Sequence, residues 1–225
     1  MEHKEFFHLE SIVTYLAPRL SQQFTPFLNL TSPLIYTIYQ QKHLNMAETK
    51  GPNGSTTNGK KALAPNVHLS GHPVLAHKIS ILRSSSTLPT GFRAVLREIT
   101  FHLGHEATTS LTTRSIDISV PGVSASDHMD ARGNKIVEKV ALVPILRSGL
   151  GMVESMLELI PTAAVHHIGI YKQGSMPVMY YNRLPKKCAV DVAYVLDPTI
   201  GSAHTMLSVV GLLKKVIFAK NASCC

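Results

Sequence analysis

Tryptophan is absent from this 225-residue chain, and cysteine occurs only at Cys188, Cys224 and Cys225. Without a paired cysteine spacing there is no thiolate zinc site and no disulfide framework to read, so a reducing, cytoplasmic setting is the simpler expectation. Charged side chains are scarce, 16% of residues against 44% apolar, a balance that excludes a disordered or collagen-like chain. Long apolar runs are missing as well. The stretch 11–39 is interrupted by Pro18, Arg19, Gln22, Gln23, Pro26 and Pro33 well before the ~20 apolar residues that a membrane span needs. No membrane partner is expected. Glu2, Glu5 and Glu10 argue against a basic signal peptide and an acid-poor transit peptide. The sequons at Asn29, Asn53 and Asn221 are therefore read as unmodified.

What the chain does carry is a formal net charge of +8, which favours an anionic partner: nucleic acid, a lipid headgroup or a phosphorylated small molecule. Its length suits one sizeable core with an appended segment. The stretch "AETKGPNGSTTNGKKALAP" is too polar to offset the cost of ordering and reads as a flexible linker. Residues 1–66 are accordingly expected to form an N-terminal extension and linker. No periodicity ties residues 1–45 to the later core, and Met46 stands where an alternative start would. A domain is expected over 67–215, with a divergent tail at 216–225.

From Val67 the texture alternates. "HPVLAHKISILR" and "TGFRAVLREITFHLGHEAT" space their apolar residues three and four apart, as amphipathic helices do, while "RSIDISVPG" alternates and ends in a turn. "VEKVALVPIL", "AVHHIGIY" and "VAYVLD" read as buried strands. Alternating β and α elements imply an α/β fold, a mostly parallel sheet with helices on both faces.

In such folds ligands bind beyond the carboxyl ends of strands. "VAYVLDPTIGSAHT" ends a buried strand at Asp197-Pro198 and turns through Thr199, Ile200, Gly201, Ser202, Ala203, His204 and Thr205 into a helix expected over 206–215. Successive N–H groups, with the hydroxyls of Ser202 and Thr205, suit a phosphate at a helix N-terminus. Asp197 suits the hydroxyls of a sugar. The other reading is an ordinary helix capped by Ser202 or Thr205. A second strand end, in "ALVPILRSGLGM", offers Arg147, whose guanidinium grips phosphate oxygens in pairs. Together the two ends fit a ligand with phosphates at both ends.

The segments "HPVLAHKISILR", "FRAVLREITFHLGHEAT", "ALVPILRSGLGMVESMLELIP", "HIGIYKQGSMPVMYYNRLPKK" and "VAYVLDPTIGSAHT", in this order, resemble uracil phosphoribosyltransferase from about His72 to Lys215. The resemblance implies a type I phosphoribosyltransferase fold and the conversion of uracil and 5-phosphoribosyl pyrophosphate (PRPP) to uridine monophosphate (UMP) and pyrophosphate with Mg2+. It also implies a homo-oligomer and, in some members, activation by GTP. By the same resemblance Arg147 and Lys172 would contact the pyrophosphate of PRPP, Asp197 its ribose, and the turn from Pro198 to Thr205 its 5′-phosphate. The family's turn usually reads Asp-Pro-Met-Leu/Ile-Ala-Thr-Gly-Gly/Asn-Ser/Thr. Here Gly201 replaces Ala, Ser202 replaces Thr, and Ala203 and His204 fall on the glycine-type positions. Ala203 would crowd a turn that needs a positive backbone angle there. Lys172 stands where an arginine is usual, keeping the charge without the fork.

Family members continue past Lys214-Lys215 with further strands and a uracil-binding segment of the type "GYIxPGLGDxGDR", whereas this chain ends in "VIFAKNASCC". An incomplete domain is therefore expected, with no uracil-binding residue to assign and an unpaired strand edge left beside the last βα unit. The alternative function is an impaired form that binds PRPP, or docks on full-length subunits, without making UMP. A nucleic-acid-binding module ranks lower, since no basic stripe interleaved with aromatics is present. His166-His167 on one strand point to opposite faces, His102 and His105 lack partners for a metal set, and His68, His72 and His77 straddle a helix start where capping and surface roles are usual.

Overall fold

A computed structural model describes residues 8–13, 33–37, 67–122, 128–174, 176–185, 190–200 and 203–218; of 8–13, 33–37 and 216–218 only the backbone is considered. In chain order the elements are β1 (His8–Val13), β2 (Pro33–Thr37), β3 (Val67–Leu69), α1 (Pro73–Arg83) and α2 (Pro89–Ala107). After a 3₁₀ turn come β4 (Thr113–Pro121), β5 (His128–Ile136), β6 (Val140–Leu146), α3 (Leu150–Leu159), β7 (Ala164–Val165) and β8 (Ile168–Gln173). The chain then forms β9 (Met176–Asn182), β10 (Val192–Asp197) and α4 (His204–Phe218).

Both early helices open on proline, whose missing N–H costs nothing in a first turn. His72 caps α1, its Nδ1 accepting the N–H of Val74 at 3.2 Å, as a histidine at a helix start was expected to do. In α2, Leu96, Ile99, Leu103 and Ala107 return to one face and are buried. Gly104 lets α3 approach closely: a Cβ there would come within 2.5 Å of Leu159 Cδ1 and 2.7 Å of Met156 Sδ.

The sheet runs β3-β2-β1-β10-β6-β8-β9, with β7 also on β6. All its pairings are parallel except β8 with β9. β6 and β10 are its centre. Side chains alternate between two cores. Val140, Leu142, Val192, Tyr194 and Leu196 pack with α1, α2 and α3. Ala141, Val143, Ile145, Ala193 and Val195 pack with α4 on the other face. Each strand is apolar throughout because each face is covered. The α/β class and helices on both faces follow the expectation from sequence.

Pro144 lies inside β6, where a proline removes a ladder hydrogen bond. The pairing accommodates it. On the side away from β10, β6 pairs with β7 at Ala141 and Leu142 and with β8 at Ile145 and Leu146, so Pro144 falls where one partner hands over to the next. The run "AVHHIGIY", expected as one strand, is accordingly divided, with His166 and His167 between β7 and β8.

The unpaired edge expected beside the last βα unit is not found on β10. β1 pairs with it along its whole length, from His8↔Val192 to Val13↔Asp197, and β2 and β3 extend the sheet beyond. Two strands thus come from the stretch expected to be extension. The hairpin β4–β5 forms a separate two-stranded sheet and keeps most of its side chains in solvent.

The turn from β6 into α3 lies hard against β10. A Cβ on Gly149 would come 2.4 Å from the Leu196 carbonyl oxygen and 2.7 Å from the Ile145 nitrogen, both rigid backbone atoms. Gly149→Ala is expected to lower stability by about 1–3 kcal/mol through overpacking, read as a fall in the urea midpoint with an unchanged slope.

Candidate active site

β6 and β10 end side by side, and the turns that leave them form opposite walls of one cleft. Its volume is about 210 Å³, and its lining includes Ser148, Lys172, Asp197, Thr199, Ala203 and Thr205. Ile145, Leu146, Ile170, Ile200 and Met206 supply the apolar part. The location beyond parallel strand ends, where helix α4 begins, comes from the handedness of βα units and is where anionic ligands settle in such sheets.

Asp197 is the acid of this cleft, only 8% exposed. The Ser148 hydroxyl donates to its Oδ1 at 3.2 Å, and the Thr199 N–H reaches the same oxygen at 3.4 Å. Burial pushes its pKa up from 3.8 to about 6; the Thr199 N–H, the Ser148 hydroxyl and the Lys172 charge pull the other way without offsetting it. An oxygen left with few donors is one able to accept hydrogen bonds from a ligand. Ser148 comes directly after Arg147 in the chain, so a single hydrogen bond ties the arginine-bearing turn to the carboxylate.

The other expected residues fall around this centre. Lys172 reaches the cleft from β8. Thr199, Ile200 and Thr205 line it, and Pro198 is buried. His204 is exposed at the start of α4. Arg147 is exposed on the turn, beside the cleft lining rather than in it. Gly201 and Ser202 lie outside the described residues. Ser148 and Met206 were not singled out from sequence as ligand-facing. The signal for Ser148 was its place immediately after Arg147, whereas Met206 was legible only as a helix residue.

Ala203 sits at φ 62°, the left-handed region in which an L-residue is strained. This is the crowding anticipated at the glycine-type position of the turn. Among the described residues, no three His, Cys, Asp or Glu side chains gather to hold a metal ion. His102 instead lies 3.3 Å from Glu106 and stacks edgewise on His72.

A family model described as uracil phosphoribosyltransferase matches residues 69–222. This chain belongs to the uracil phosphoribosyltransferase family. It is 42% identical over 151 residues to a uracil phosphoribosyltransferase of Roseiflexus sp. (strain RS-1), covering 66% of this chain and 70% of that protein. A uracil phosphoribosyltransferase of Ureaplasma parvum serovar 3 is 37% identical over 146 residues, 64% of this chain and 68% of its own length. Among solved structures, the AQ2163 protein from Aquifex aeolicus superposes with a TM-score of 0.57 at 27% identity, covering 65% of this chain and 69% of that one. Family membership makes the chain a pentosyl-transferase-type enzyme by descent. No helix among the described residues is long and apolar enough to cross a membrane.

Two stability measurements probe this site. A carboxyl whose pKa rises on folding from 3.8 to about 6 contributes stability that is fully present below pH 3.8 and is lost as the pH climbs through 6. Asp197→Asn is therefore expected to stabilise the chain at pH 8 by about 1–3 kcal/mol, the gain fading toward pH 3; equal effects at both pH values would contradict a carboxyl whose ionisation is disfavoured by burial. Separately, Ala203→Gly should relieve the left-handed strain and stabilise by roughly 0.5–1 kcal/mol, measured by denaturant unfolding at one pH.

Proposed function

We propose that the chain transfers the 5-phosphoribosyl group of PRPP to uracil, releasing pyrophosphate and giving UMP. The observation that carries this reading is the buried Asp197 at the mouth of a cleft whose opposite wall begins just after Arg147, in a chain of the uracil phosphoribosyltransferase family. The C1–O bond to pyrophosphate breaks, the bond from C1 to the uracil nitrogen forms, and the nitrogen's proton leaves to solvent. Positive charge grows on the sugar ring as negative charge grows on the diphosphate, so the protein's work is positioning and electrostatics.

In this reading Asp197, ionised, accepts hydrogen bonds from the ribose hydroxyls and fixes the ring. Arg147 and Lys172 hold the departing diphosphate, the arginine from its exposed turn beside the cleft. The turn from Pro198 through Gly201, Ser202 and Ala203 to Thr205 holds the 5′-phosphate with N–H and hydroxyl donors at the start of α4. Mg2+ accompanying PRPP would supply positive charge against the charge that grows on the departing diphosphate. Uracil selection and assembly into a homo-oligomer belong to the same proposal, as does work in the cytoplasm.

The test is UMP formation from labelled uracil with PRPP and magnesium. Turnover is expected, lowered by about 100-fold or more in Arg147→Ala, the scale of losing a charge contact made in the transition state. It should fall off below about pH 6, where Asp197 takes up its proton. A folded chain that binds PRPP yet forms no UMP would replace this reading with that of a binding form.

A further inference from the structure

The family match opens at Leu69, the last residue of β3, and runs on through α4. Within the sheet, however, β3 is not next to β10. Two strands from outside the match, β2 and β1, lie between them. Three strand spacings separate β3 from β10, about 14 Å. The matched elements thus frame a slot two strands wide. β10 forms one wall with an edge level with β1 from Val192 to Asp197, and β3 forms the other, level with β2 from Ile35 to Thr37. α2 packs across both intervening strands and roofs the slot.

Physical reasons require this slot to be filled. β10 is buried at every residue, which is the condition of an interior strand; at an edge its N–H and C=O groups would stand unpaired under cover. The face of α2 that carries Leu96, Ile99 and Leu103 is built for a floor. The strands 8–13 and 33–37 have what a filler needs. Both strands run parallel to β10, and residues 14–32 and 38–66 each exceed the dozen or so that a parallel crossover requires.

We propose that β1 and β2, residues 8–13 and 33–37, are an integral part of the phosphoribosyltransferase domain, and that the two strands of each chain fill this slot in cis. The arrangement has a consequence for the site. Val13 is level with Asp197, and Thr37 with Val13, so both strands deliver their carboxyl ends to the edge of the sheet where the cleft opens. On the far side of Asp197 from Lys172, the ligand-facing edge of the sheet is made by the N-terminal segment.

Hydrogen exchange on the full chain tests the filling directly. Backbone amides in 8–13 and 33–37 are expected to exchange at least ~100-fold more slowly than unstructured peptide, approaching the protection of 192–197; exchange at the unstructured rate would overturn the proposal. Occupancy in cis is tested by placing Ser11→Cys opposite Val195→Cys, with the three native cysteines changed to serine. Neighbouring strands are about 4.8 Å apart, within the reach of a disulfide. A cross-link within one chain, seen as an oxidised monomer by mass, is expected. A disulfide joining two copies, or none under oxidising conditions in a folded variant, would overturn filling in cis, and should the variant not fold the exchange result decides. Both readouts report structure rather than turnover, so they stand apart from the outcome of the UMP assay.

Discussion

The close packing of Gly149 under the Leu196 carbonyl joins two pieces of chain that are 47 residues apart in number and brings their chemistry together. β6 and β10 lie in parallel register, Val143 opposite Val195 and Pro144 opposite Leu196, so the turns after them emerge at one height. A side chain on the first turn would hold them apart. With glycine there, Ser148 comes within hydrogen-bonding distance of Asp197, and Arg147 is brought along by chain connection. The geometry of the cleft is thus inherited from backbone packing between strands, which is stiffer than a contact between long side chains.

The same packing explains why the site is costly to the fold. Asp197 belongs by alternation to the face of β10 that carries Ala193 and Val195 into the core with α4. A carboxylate at that place loses most of its water, and its three stabilising neighbours do not restore what burial removes. Ala203, a few residues on, holds a backbone angle that suits glycine better. Both departures from local preference fall on the stretch between β10 and α4, the one that borders the cleft. Functional sites are where such conflicts are retained.

Much of this was legible in the sequence because it depends on local pattern. β6 and β10 showed themselves as apolar runs of strand length, α1 and α2 by their three- and four-residue spacing, and Asp197 and Arg147 by standing at the ends of those runs. Ser148 was less visible because its role comes from the strand pairing, which no spacing reveals. The division of "AVHHIGIY" was hidden for the same reason: it is set by Pro144 on the neighbouring strand. β1 and β2 escaped notice because short strands without a helix of clear period beside them resemble loop sequence, and their partner, β10, lies near the other end of the chain.

Sheet order matters more here than chain order. A strand is stabilised by the neighbours that satisfy its backbone and by the layers that cover its faces, and neither depends on which stretch of chain supplies them. β10 needs a parallel neighbour on the side away from β6, and the order of elements along the chain does not dictate where that neighbour comes from. Segment 8–13 meets the requirement with a full-length register against 192–197. Because parallel strands end at the same level, whichever segment occupies that place also borders the cleft. The constraint that completes the sheet is therefore the one that completes the edge at which the cleft opens.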